Sequence, residues 1–133
     1  MNPLPTYMLD THALYWHLYD RSKLSLSARQ AIDEGEAGAA SLLVSHVALA
    51  ELFFLLTKVA RQADFPAILA ALRANLNYRM EPIVLDDIEK LAVVTNVPEM
   101  HDRLLVAATN RLGAVLITKD QLIQSSGQVQ WLW

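Results

Sequence analysis

Residues 98–120, PEMHDRLLVAATNRLGAVLITKD, decide how this chain is read. Asp102–Leu112 has the composition of an apolar helix with an acid in its first turn, where the helix dipole favours negative charge. Gly113 stands where helices commonly close in a left-handed residue. Ala114–Thr118 is then an unbroken apolar run, the pattern of a strand covered on both faces. Asp120 follows almost at once. In open α/β sheets ligands bind beyond the carboxyl ends of the strands, so this acid falls on the ligand-binding rim.

Working outward, the same alternation extends through the chain. Tyr7–Leu9 predicts a strand ended by Asp10, with a helix over Thr11–Tyr19. Ser27 and Gln30 form a capping-box pattern that opens a helix through about Glu34, followed by a small-residue loop over Gly35–Ala40. Leu42–Ser45 reads as a second strand. Val47–Arg61 reads as a long helix, apolar at Ala48, Leu52, Leu55, Leu56 and Val59. Asp64 is expected to cap a helix through about Leu76, and Pro82–Leu85 to form a third strand. Asp86 with Glu89 repeats the capping-box pattern before a helix through about Thr95. Asp120–Ile123 starts a short helical turn, and Val129–Trp131 is expected as a final edge strand. This order implies a three-layer α/β/α fold around a central, mostly parallel sheet of four to five strands, as a single domain over residues 1–133.

Composition narrows the class. The 133 residues are 53% hydrophobic and carry a net charge of −3, which excludes a disordered chain and a generic basic nucleic-acid coat. With no cysteine there is no disulfide scaffold and no thiolate metal site, and a cytoplasmic setting is expected. Residues 1–9 lack the basic start of a signal peptide, and no apolar run approaches the ~18 residues of a membrane helix.

Most of the 14 acids have ordinary explanations. Asp33, Glu34 and Glu36 fall at a helix end and loop; Asp64, Asp86 and Glu89 fit capping, and Asp87 fits the positive end of its helix. Four acids do not reduce to this. Asp10 and Asp120 both follow strands and point to one rim. Asp102 opens an apolar helix. Glu51 interrupts ALA-E-LFFLL, where an unpaired buried carboxylate would be costly, although an outward-facing charge on an amphipathic helix is also compatible. Carboxylates held together repel one another unless a cation joins them, and oxygen-only ligands suit Mg²⁺ or Mn²⁺. Such a pocket fits a metal-dependent hydrolase of phosphate esters.

The stretches 7–14 (YMLDTHAL), 44–55 (VSHVALAELFFL) and 98–120 closely resemble the PIN-domain nucleases, and most closely the VapC-type toxins of type II toxin–antitoxin modules. The resemblance implies an endoribonuclease whose RNA substrate is cut with Mg²⁺ or Mn²⁺. It implies Asp10, Glu51, Asp102 and Asp120 as the catalytic acids, with Asp10, Asp102 and Asp120 holding metal. Thr118 matches the hydroxyl residue near the fourth acid, and Thr11 follows the first. The resemblance further implies a cognate antitoxin and a homodimer, which a positive mean hydropathy of +0.23 and the apolar run 52–56 also favour.

Weaker candidates surround these positions. Arg103 and His101 flank Asp102, and Lys119 precedes Asp120, each within reach of a phosphate on sequence proximity. His12, His17 and His46 show no ligand spacing and read as structural; Trp16, Trp131 and Trp133 read as core or interface rather than base-stacking residues. Three readings compete. A receiver-like Mg²⁺-binding phospho-acceptor domain would want an acidic pair at the first strand. A phosphatase with an Asp nucleophile would want a second Asp at position 12, which is His12. A non-catalytic PIN-fold RNA-binding module would not need the acidic quartet.

Overall fold

The computed structural model describes residues 3–133. Its strands are β1 (Thr6–Leu9), β2 (Ser41–Ser45), β3 (Tyr78–Glu81), β4 (Val115–Ile117) and β5 (Trp131–Leu132). They form one sheet in the order β3-β2-β1-β4-β5, with every pairing parallel. The helices are α1 (Thr11–Tyr19), α2 (Leu26–Glu36), α3 (His46–Lys58), α4 (Phe65–Ala74), α5 (Leu85–Glu89), α6 (Met100–Arg111) and α7 (Gln121–Ser125). The described residues contain no helix long and apolar enough to cross a membrane.

Strand alternation divides the core in two. Leu9, Leu42, Val44 and Ile117 face one side, with Ala13, Leu14, Ala28, Ile32, Leu52, Leu56 and Leu72 from α1 to α4. Met8, Leu43 and Leu116 face the other, with Leu105, Val106 and Ala108 of α6 and Ile123 of α7. This is the expected three-layer α/β/α arrangement. Both faces are buried, so the strands read as continuous apolar runs.

Several element boundaries differ from the sequence expectation. The third strand is Tyr78–Glu81, not Pro82–Leu85. Pro82 has no N–H for a ladder, and the apolar run PIVL instead leads into α5. β3 is an edge strand whose Tyr78 and Met80 pack on the core, so it alternates and hides its signal. α2 is capped by Ser25, whose Oγ accepts the Ala28 N–H, rather than by Ser27. Gly35 belongs to α2, not to a loop: a Cβ there would come within 2.6 Å of three side-chain carbons of Leu42, so the helix packs on β2 only through a glycine. Asp64 accepts the Tyr19 hydroxyl instead of capping α4, which ends at Ala74 and leaves Leu76 exposed. Asp87, not Asp86, caps α5, accepting the Val84 N–H. The last strand is Trp131–Leu132, two residues shorter at its start than expected.

α3 ends before Arg61 because of its backbone. Arg61 N–H donates to Leu56 O and Ala60 N–H to Thr57 O, a Schellman closure that places Ala60 at φ 58°. An alanine bears strain there that glycine does not. Ala60→Gly is expected to stabilise the protein by about 1 kcal/mol in denaturant unfolding, the reverse of the usual glycine effect in a helix. Unchanged or lower stability would show that the strain is absent.

Candidate active site

The sheet runs outward from β1 in two directions: to β2 and β3 on one side, and to β4 and β5 on the other. A crevice opens beyond the strand ends at such a reversal. Asp10 sits there. Its N–H donates to Ile117 O at 3.2 Å, joining the ends of β1 and β4, and its Oδ1 accepts the Ala13 N–H at 2.7 Å as the cap of α1. Asp120 mirrors it after β4. Its Oδ1 accepts the Leu122 and Ile123 N–H groups at 2.9 and 3.1 Å, capping α7. Thr118, fully buried, accepts the Asp120 N–H at 3.1 Å, and its hydroxyl favours the ionised form of Asp10. One short segment therefore orients both strand-end acids.

Two helices bring the other carboxylates. Glu51 lies on α3, and the Thr11 hydroxyl donates to its Oε1 at 3.2 Å. Asp102 lies in the first turn of α6, its N–H held by Glu99 Oε2 at 2.8 Å. All four acids line one cleft of about 1360 Å³. Burial of Asp102 together with the charges of Asp120, Glu99, Glu51 and Asp10 pushes its carboxyl up to about 7. Burial also raises Asp10, against hydrogen bonds from Thr118 and Ala13 and the nearby His12. Burial pushes Glu99 up too, but the His101 and Asp102 N–H groups and the His101 imidazole outweigh it and leave its carboxyl below the ordinary value.

Among the described residues, no three His, Asp or Glu side chains are already gathered as a closed ligand cage. The donor set nonetheless has the chemistry of a hard-cation site: carboxylates from four segments line one cleft, and the charges of the other acids raise the proton affinity of Asp102. A divalent cation would remove that repulsion. Protonation does so as well, which sets the pH dependence. Asp102 favours its protonated form in the fold, so its contribution to stability is complete below pH 3.8 and is lost as pH rises through about 7. In EDTA the thermal midpoint is therefore expected to fall across this window, less so in Asp102→Asn. An equal fall in both proteins would contradict the assignment.

The remaining candidates divide. His101 pairs with Glu99 at 2.7 Å at the cleft, and Lys119 lines the cleft beside Asp120. Arg103 turns away: it donates to Leu91 O at 2.8 Å and to Val97 O, holding the segment before α6, and does not line the cleft. His17 pairs with Glu36 at the far end of α1, as a structural histidine. His12, His46 and Trp16 line the cleft. Trp133 packs edge-on against Trp16 at 5.8 Å, and Trp131 lies exposed on the edge strand. Glu99 was missed as a member of the acidic group. Its signal was present, an acid three residues before Asp102 at the spacing of an N-cap.

Comparisons with known proteins agree with this architecture. The chain matches the PIN domain family over residues 7–125. A comparison with curated proteins returns no match. Among solved structures, VapBC2 of Rickettsia felis, bound to a promoter DNA fragment, is similar with a TM-score of 0.75 at 13% identity, covering 96% of this chain and 98% of that one. VapBC of Salmonella typhimurium, bound to DNA, has a TM-score of 0.70 at 12% identity, with 97% and 98% covered. VapC20 of Mycobacterium tuberculosis, described as a sarcin–ricin loop cleaving toxin, has a TM-score of 0.64 at 19% identity, with 93% and 98% covered. At these identities the structural likeness speaks for the fold, whereas the family match spans nearly the whole sheet and all four cleft acids, so the chain belongs to the PIN domain family of nucleases.

Proposed function

We propose that this chain is a Mg²⁺- or Mn²⁺-dependent endoribonuclease acting as the toxin of a toxin–antitoxin pair. The observation that carries the reading is the convergence of Asp10, Glu51, Asp102 and Asp120 on one cleft at the reversal point of the sheet. Support for the biological role comes from similar folds described as VapBC complexes and as a sarcin–ricin loop cleaving toxin. When bound, a divalent cation would acidify an attacking water and offset charge on the phosphate. Asp10, Asp102 and Asp120 would hold it. Thr118 and the helix caps keep Asp10 and Asp120 from turning away. Glu51, steadied by Thr11, would orient water or complete the ligand shell.

The antitoxin and a second copy of the chain are the proposed protein partners. Phe54 and Met100 leave apolar surface exposed at the cleft, beside the acids. An antitoxin arginine could pair with Asp10 and Asp102 there and inhibit by occupying the carboxylates. The deciding experiment is RNA cleavage by the purified chain. Cleavage in Mg²⁺ or Mn²⁺, abolished by EDTA and not restored by Ca²⁺, is expected. Full activity in excess EDTA would overturn the metal assignment, and no cleavage under any condition would overturn the nuclease reading. Light scattering of the chain alone and with its genomic neighbour tests the partners; a strict monomer with no co-purifying protein would remove the toxin reading.

A further inference from the structure

Beside the acids, the cleft has an aromatic wall: Trp16 packs its inner side on the core, whereas the exposed ring of His12 is held by neither the core nor the acidic centre. His12 and Trp16 stand four residues apart on α1, so their rings leave the same helix face. The ring centroids are 5.5 Å apart with the planes inclined at 48°. Trp16 is half-buried and braced edge-on by Trp133, while His12 is exposed. Lys119 Nζ lies 5.7 Å from the Trp16 centroid, which brings a cation to the same wall. His17 and His101 each pair with a glutamate; His12 has no such ion pair among the described residues. An exposed imidazole tilted against a half-buried indole, next to an ammonium and two residues from Asp10, offers a ring face for a base and a charge for a phosphate.

We propose that the His12–Trp16 pair is the shelf on which the nucleobase adjoining the scissile phosphate stacks, with Lys119 drawing that nucleotide's phosphate toward the acids. This rests on the nuclease reading and adds to it a binding role for residues outside the acidic quartet. Stacking on an aromatic side chain tolerates any base, because every base has a π-face. The shelf therefore positions an unpaired nucleotide rather than selecting a sequence.

The test is binding of a short unpaired oligoribonucleotide to the full chain, followed by fluorescence anisotropy, with Ca²⁺ in place of Mg²⁺. His12→Ala is expected to weaken binding roughly 10-fold, within the range of a lost base–aromatic stack. His12→Phe, which keeps a ring, is expected to bind within about 2-fold of the natural protein, since sequence-tolerant stacking needs only the π-face. Because His12 is exposed, neither change should move the melting temperature. A series of oligoribonucleotides, each with one base removed, supplies the readout a structural role would not move. One position should cost the natural protein affinity and cost His12→Ala nothing further. Equal affinity of His12→Ala and the natural protein would overturn the shelf, as would equal losses in His12→Ala and His12→Phe. The nuclease reading fails separately: a natural protein that cleaves RNA while His12→Ala binds undiminished loses only the shelf, whereas one that neither binds nor cleaves loses both.

Discussion

Asp10→Asn is expected to lower RNA cleavage by more than ~100-fold, beyond the cost of losing an outer-shell partner, while the protein stays folded. The amide keeps the cap on the Ala13 N–H but removes the charge at the junction of β1 and β4. Asp102→Asn should behave alike in activity. In stability both should hold or gain in the absence of metal, because the carboxyl of Asp102 is pushed up to about 7 by burial and by its acidic neighbours. Asp86→Asn is the control. Asp86 is exposed and does not cap α5, so it should retain full activity. Undiminished cleavage by Asp10→Asn, or a dead Asp86→Asn, would mean the site is misplaced. Loss of activity accompanied by loss of fold would assign Asp10 to structure instead.

The largest expected effect on stability lies at an ion pair away from the cleft. Asp87 is 1% exposed, and Arg111 donates to its Oδ1 and Oδ2 at 2.8 and 3.1 Å. The pair joins α5 to the end of α6, and Asp87 also caps α5 through the Val84 N–H. Arg111→Met leaves a buried carboxylate without its cation, which costs about 3–5 kcal/mol. Replacing both residues, Asp87→Asn with Arg111→Met, removes the orphaned charge and is expected to recover a large part of that loss. Denaturant unfolding of the single and double variants measures the difference. A loss below about 1 kcal/mol in Arg111→Met would indicate a pair screened like a surface salt bridge.

What could be read from the chain, and what could not, follows from the range of the forces involved. Strands β1, β2 and β4 were legible because burial on both faces requires uninterrupted apolar runs, and TYML, SLLVS and VLI preserve that pattern locally. Asp10, Asp102 and Asp120 were legible for a related reason: each stands at the end of a strand or in the first turn of a helix, a position the local sequence marks. β3 was not legible, since an edge strand buries one face only and YRME carries a weak alternation beside the stronger apolar signal of PIVL. Gly35 within α2 depended on Leu42 of β2, and the pairing of Asp87 with Arg111 spans 24 residues; neither contact has a local signature. The same holds for Arg103, whose guanidinium found backbone carbonyls instead of the cleft, and for the wall of His12, Trp16 and Lys119. By itself the sequence determined the layer order, three of the five strands and the acids at the strand and helix ends, because hydrophobic periodicity and capping act over a few residues. Only the tertiary structure decided which strand lies at the edge, which charges pair and which side chains meet at the cleft, because those depend on contacts between segments distant in the chain.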